Sequence, residues 1–276
     1  MKKLIATAVM TALVTGCATT KSIKYPTAGQ QTALSVSSEQ MSSMTEAVAG
    51  DYFIKDSQIM VGDISNLSSS QASSMFGLVG LGVAIAIDKT KNGSAIEKST
   101  LNKPIKFDQL VSEKINQSYA QNKIDSTLKL LGTDQLAEVK IVPFSRLSFR
   151  EKPIMLVDFA LKSEFKNASD NNASTKRFYY YVHDQRLTLP EWDANNNTNY
   201  MTKANRAYDA LTKVLVLDVQ HQLNLNAFDP EKQKRCKTQP AMSHLFFIQT
   251  NDDLCVGVAK TVKGQVVERS LYVVEQ

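Results

Sequence analysis

Apolar residues recur along this chain with two periods, and the change from one to the other divides it into elements. From Ala137 to Phe149 they alternate: Ala137, Val139, Ile141, Leu147 and Phe149 share one side, while Glu138, Lys140, Arg146, Ser148 and Arg150 share the other, which predicts a half-exposed strand. A Glu151-Lys152-Pro153 turn follows, then Met155, Val157, Phe159, Leu161 and Phe165 alternate in a returning strand. After the polar stretch Asn167 to Ser174, the run Arg177 to His183 (RFYYYVH) predicts a third strand of one antiparallel meander. Leu245 to Ile248, Cys255 to Val262 and Gln265 to Val274 predict a second, closing meander. Asp51 to Gly62 is also strand-like.

Helical spacing appears twice. Phe107, Leu110, Val111, Ile115 and Tyr119 form one stripe, and Ala204, Ala207, Tyr208, Leu211, Val214, Leu215 and Leu217 form a wider face within Lys203 to Leu223. Between strands and long helix, Leu187 to Tyr200 holds Pro190, Trp192 and an asparagine run, and predicts a loop that brings one large aromatic to the surface or to a groove. Clustered strands and helices imply an α+β fold: an antiparallel sheet of meanders packed against two main helices.

Met75 to Ile87 (MFGLVGLGVAIAI) fits neither period: thirteen uncharged residues contain Gly77, Gly80 and Gly82. As a helix it would measure about 20 Å, too short for a hydrocarbon core of roughly 30 Å. A buried small-residue core element is one reading. The other is a partner or membrane contact through Phe76, Gly77, Gly80, Gly82, Ile85 and Ile87, because small residues let backbones approach closely. The glycine spacing is the reverse of a dinucleotide fingerprint, and no Lys-Ser or Lys-Thr pair follows directly, so a phosphate loop is disfavoured.

The start of the chain is more specific. Lys2 and Lys3 precede an apolar run from Leu4 to Val14, which is too short to span a bilayer and has the layout of a signal peptide. It ends in Val14-Thr15-Gly16-Cys17, which resembles the lipobox of bacterial lipoproteins cleaved by signal peptidase II. The resemblance covers about seventeen residues and departs from the commoner leucine at Val14. It implies removal of residues 1–16, a diacylglyceryl thioether on Cys17 and acylation of the new amine. Ala18, where an aspartate would favour the inner membrane, implies outer-membrane anchoring with the body facing the periplasm. One acyl chain binds a bilayer only marginally, whereas two or three hold durably. Residues 17–47, rich in Ser, Thr, Gln and Gly, read as a flexible tether, and residues 48–276 as a single body carrying the 75–87 segment.

Composition adds bounds. With 276 residues, 43% of them apolar and 21% charged, the chain is of globular type. Its formal charge of +5 falls to about +3 without Lys2 and Lys3, too little to imply nucleic acid. Removing Cys17 from three cysteines leaves Cys236 and Cys255, an even pair expected to form a disulfide in an oxidising compartment. The closed loop of about 20 residues would contribute near 3 kcal/mol in the chain-entropy treatment. His183, His221 and His244 have no ligand-like spacing to a cysteine, so neither a metal nor a cofactor is expected.

Catalytic patterns are incomplete. Ser126-Thr127-Leu128-Lys129 matches S-x-x-K and Ser169-Asp170-Asn171 matches S-D-N, which resembles the penicillin-interacting serine enzymes, but Lys260-Thr261-Val262 lacks the glycine of the third signature. The strands between the first two stand where those enzymes carry a helical domain. His183-Asp184 offers a base and orienter, although a histidine at a strand end is more often a polar residue at solvent. Glu191 and Asp193 flank Trp192, and Lys232, Lys234, Arg235 and Lys237 form a basic run that reads first as solvated charge. The expectation is therefore a non-enzymatic envelope lipoprotein that binds another envelope component or its own kind. The alternative is an envelope hydrolase or a small-ligand or lipid carrier with a non-standard site.

Overall fold

The structure is a computed structural model and describes residues 23, 25, 31–40, 52–62, 95–122, 127–151, 153–167, 170–225, 236, 245–251, 254–260 and 266–275. Among the described residues, eleven strands form one sheet and two main helices pack on it. The strands are β1 (Thr32–Val36), β2 (Tyr52–Phe53), β3 (Ile59–Gly62), β4 (Leu128–Leu130), β5 (Val139–Glu151), β6 (Ile154–Asn167), β7 (Asp170–Val182), β8 (Leu187–Thr188), β9 (Leu245–Asn251), β10 (Leu254–Lys260) and β11 (Val266–Glu275). The helices are α1 (Asp108–Asn122) and α2 (Leu189–Val219).

Both meanders form, β5-β6-β7 and β9-β10-β11, each antiparallel throughout. The sheet as a whole is mixed, which corrects the antiparallel expectation. β7 joins β11 in parallel, with Phe178 beside Ser270 and Val182 beside Val274, and β5 runs parallel to both β1 and β3. The reason is that the chain leaves β7, crosses the sheet as α2 and returns through β9 and β10, so that β11 re-enters in the direction of β7. The apolar face of β5 is buried as the sequence implies, but the strand is not half-exposed: on its other face Val142 and Phe144 pack with Met60, Ala160 and Phe178. Val139, Ile141, Leu147, Phe159, Leu161, Phe165 and Tyr179 point to the helices and pack with Phe107, Ile115, Tyr208, Leu211 and Leu215 in one core.

The outer edge of β5 is shared. β1 covers Val139 to Ile141 and β3 covers Ser145 to Ser148. Pro143 lies between them, and because the Ser145 N–H faces outward to the Gln58 carbonyl at 2.9 Å, the N–H that Pro143 lacks would have faced the gap. Buried Gln58 fills that gap with its side chain. Its Nε2 donates to the carbonyls of Ser37 and Glu39 at 2.9 and 3.2 Å, and its Oε1 accepts the Phe107 N–H at 2.6 Å. One amide thus joins two strands and the start of α1.

Two readings of the sequence are revised here. β1 lies within the stretch 17–47 read as a flexible tether, and Ile23 is only 8% exposed, so the tether joins the body well before residue 47. The loop expected at Leu187 to Tyr200 is instead the first part of α2, entered through Pro190 and a Glu191 carboxylate that accepts both the N–H and the hydroxyl of Thr188 at 2.7 and 2.8 Å. The asparagine run is a kink: Asn195, Asn196 and Asn197 have φ of 53°, 57° and 60°, the left-handed region that asparagine tolerates better than other side chains. Trp192 is fully buried, not at the surface, and its indole N–H donates to the Met155 carbonyl at 3.0 Å.

Candidate functional site

The described residues nearest the amino terminus show where the chain meets the body. Cys17 lies outside the described residues; the first described contact after it is made by Ile23 and Tyr25. Tyr25 sits at the carboxyl end of α2, between the ring of Phe165 at 5.4 Å and that of His221 at 4.3 Å. Its hydroxyl donates to Asp218 Oδ1 at 2.7 Å and accepts from Arg177 Nη1.

That hydroxyl completes a buried ionic cluster. Arg177 Nη1 reaches both oxygens of Asp218, at 2.5 and 2.6 Å, and the Tyr179 hydroxyl donates to Oδ2 at 2.6 Å. Both charged side chains are inaccessible, Arg177 at 0% and Asp218 at 1%. Such a pair is strongly directional: removing one partner leaves an uncompensated buried charge, which costs more than the intact pair contributes. The tyrosines are held protonated. Burial raises the pKa of Tyr25 and Tyr179, and the adjacent Asp218 carboxylate adds to it. Burial works against the Arg177 charge, but Asp218 and the two tyrosines more than compensate and its pKa is raised. The arrangement therefore acts as a clamp that fixes the incoming chain to β7 and α2.

Sequence reading missed this clamp, although it left a signal. Arg177 stands in phase with Tyr179 and Tyr181 on the buried face of β7, and Asp218 lies in the last apolar turn of α2. Opposite charges set within two apolar faces are a cue for a buried pair.

The opposite end of the molecule holds the groups singled out as a possible base and orienter. The His183 Nδ1 accepts the Gln185 N–H at 3.2 Å, so the proton resides on Nε2, which donates to the Val157 carbonyl at 2.8 Å. Burial lowers its pKa, which keeps the ring neutral, and both nitrogens are engaged by backbone. Asp184 is exposed, and its charge acts to raise the His183 pKa only as a lesser effect beside burial. Nearby, Lys203 Nζ contacts both oxygens of Glu275 at 3.2 and 2.9 Å, and the Tyr181 hydroxyl also bonds that carboxylate. Burial would raise the Glu275 pKa, but Lys203 and Tyr181 overcome it and hold the carboxyl below the ordinary range. Asp193 and Asn197 accept bonds from Thr100 and tie the kink of α2 to the turn Thr100–Asn102. Glu191 caps the helix. These groups have structural duties.

The serine-enzyme pattern fails on geometry. Lys129 is exposed on β4 rather than one helical turn beyond a buried serine, and Ser126 and Ser169 lie outside the described residues. The apolar segment, with Phe76, Gly77, Gly80, Gly82, Ile85 and Ile87, and the basic run of Lys232, Lys234, Arg235 and Lys237 lie outside them too.

Cys236 and Cys255 are joined by a disulfide with Cα atoms 5.9 Å apart and a sequence separation of 19. It pins the segment before β9 to the middle of the closing meander. There Cys236 packs with Val182, Phe247, Tyr272 and Val274 on the side of the sheet away from the helices. Among the described residues, no helix is long and apolar enough to cross a membrane.

No protein-family model matches the chain. No curated protein matches it either. Among solved structures it is similar to the crystal structure of protein XCC0632 from Xanthomonas campestris, of the family DUF330, over 73% of this chain and 94% of that one. Identity is 11% and the TM-score 0.27, too slight to carry an argument.

Proposed function

We propose that this chain is a lipid-anchored envelope lipoprotein, held in the outer membrane by acylated Cys17 with its α+β body on the periplasmic side. Its role there is to bind or assemble another envelope component, or a second copy of itself, rather than to catalyse a reaction. The observation that carries the reading is the join at Tyr25. Eight residues after the lipobox cysteine the chain is clamped to the buried Arg177–Asp218 pair, which suits a body meant to stay close to its anchor. The disulfide supports it, since such bonds persist in oxidising compartments. The Gly-rich segment 75–87 is the proposed contact with the partner.

Crosslinking in intact cells tests the binding role. The full-length protein should give a specific crosslinked species in the outer-membrane fraction, and deletion of residues 75–87 should abolish it while the body still folds. Identical species from both forms would contradict the assigned contact.

A further inference from the structure

Resting on the lipoprotein reading, we infer that the end of the sheet beside Tyr25 is a docking surface for anionic lipid headgroups, which stands the body upright with the Trp192 end away from the bilayer. The first support is reach. Between Cys17 and Ile23 the chain has six steps and spans about 20 Å at most when extended. Ile23 and Tyr25 are fixed to the body, so their end of the molecule stays at the headgroup layer whenever Cys17 is acylated. The far end is distant: the fourteen residues of β6 rise roughly 45 Å from one end to the other.

The second support is charge. In the last row of the sheet at the Tyr25 end, Lys129 of β4, Glu138 and Lys166 of β6 lie abreast, with the Lys166 N–H donating to the Glu138 carbonyl at 2.9 Å. Lys129 and Lys166 are exposed. Farther up the same side of the sheet are Lys140, Lys162 and Lys176. Glu39, Glu138, Glu164 and Asp134 stand against these five lysines. Glu39 pairs with Lys140, Glu164 pairs with Lys176 and with Lys162, which is buried, Asp134 accepts from Ser37 and Ser38, and Glu138 is drawn off to accept the Ala33 N–H at 2.8 Å, so the exposed Lys129 and Lys166 of the end row carry the charge. A lysine near an anionic membrane strengthens binding about fivefold. Because the acyl chains already supply a high local concentration, these lysines set orientation more than affinity.

Fluorescence quenching tests the orientation in the mature acylated protein, incorporated into phosphatidylglycerol–phosphatidylcholine vesicles that carry a headgroup spin label. Ser174→Trp places a reporter in the end row, at an exposed position paired with Lys166, and Arg186→Trp places one at the far end. Trp192 is a common buried background. Ser174→Trp emission should be quenched several-fold more than that of Arg186→Trp, and Lys129→Glu with Lys166→Glu should shrink the contrast. Equal quenching, or more at position 186, overturns the inference. Acyl chains absent from the mass of the mature protein would sink the lipoprotein reading separately. In that event, sedimentation of the Cys17→Ser protein with the same vesicles decides the surface. Binding about 25-fold weaker or more in the double lysine variant upholds it; unchanged binding, or none by either form, overturns it.

Discussion

The two ends of α2 carry polar clusters of the same chemistry, a cation, a carboxylate and tyrosine hydroxyls, but one is sealed and the other open. At the Tyr25 end Arg177 and Asp218 are 0% and 1% exposed, whereas at the other end the side chains of Lys203 and Glu275 are 9% and 26% exposed. A sealed ion pair resists loss of either member, because the survivor is stranded without water. An open pair hands its survivor to solvent. The chain that enters through Ile23 and Tyr25 is tied to the sealed cluster. The open one closes the rim of the sheet, where β11 ends against α2.

The largest break in this contrast should come from Asp218→Ala. With Arg177 buried and unpaired, urea unfolding should show a loss of about 3–5 kcal/mol. Arg177→Met with Asp218→Leu should recover most of it, since an apolar pair of similar volume carries no stranded charge. Next is Tyr25→Phe, which removes one hydroxyl that both donates and accepts in the cluster. It should cost about 1–2 kcal/mol and speed proteolysis on the amino-terminal side of β1, whereas variants at the far end should leave that cleavage rate unchanged. Glu275→Gln should cost about 1 kcal/mol or less by the same unfolding measurement, because Glu275 is itself 26% exposed and glutamine keeps an oxygen to accept from Lys203.

The smallest effects lie in the pH dependence and carry opposite signs. The Glu275 carboxyl is held below its ordinary range, so its contribution is present above the pKa of the unfolded chain and is lost as pH falls through the folded value. Asp158 behaves in reverse. Burial raises its carboxyl to about 6 in spite of Arg146 across the strand pair. The folded protein therefore binds this proton more tightly than the unfolded chain, and stability from this group rises as pH falls from about 6 towards 4. Asp158→Asn should remove that rise and Glu275→Gln should remove the fall below it, both read from unfolding midpoints against pH.

Local patterning made much of the fold legible. The alternation in β5 and β6, the aromatic run in β7 and the stripes of α1 and α2 follow from the face each turns to the main core, so a window of about ten residues suffices, although the strands also bury part of their other face. The two-cysteine pairing was legible from the even count left once Cys17 is set aside. What was not legible depends on distant partners. β1 and β4 are five and three residues long; β1 becomes a strand because β5 offers an edge more than a hundred residues away along the chain, and β4 because β1 then offers the next. The parallel join of β7 to β11 is likewise a consequence of the crossover, which no local window contains. Trp192 reads as a loop aromatic beside Pro190 and the asparagines, and only the Met155 carbonyl across the fold makes it a core residue. The clamp is intermediate: Arg177 and Asp218 are visibly out of character in their apolar faces, but Tyr25 is unremarkable in a polar stretch until its partners are known.

The intact mass of the protein purified from native membranes tests the anchor most directly. The account predicts a chain beginning at Cys17 with the added mass of a diacylglyceryl group and an amide-linked acyl chain, and a Cys17→Ser form that leaves the membrane. A product that begins elsewhere without lipid, or a serine form that stays equally membrane-bound, would contradict it.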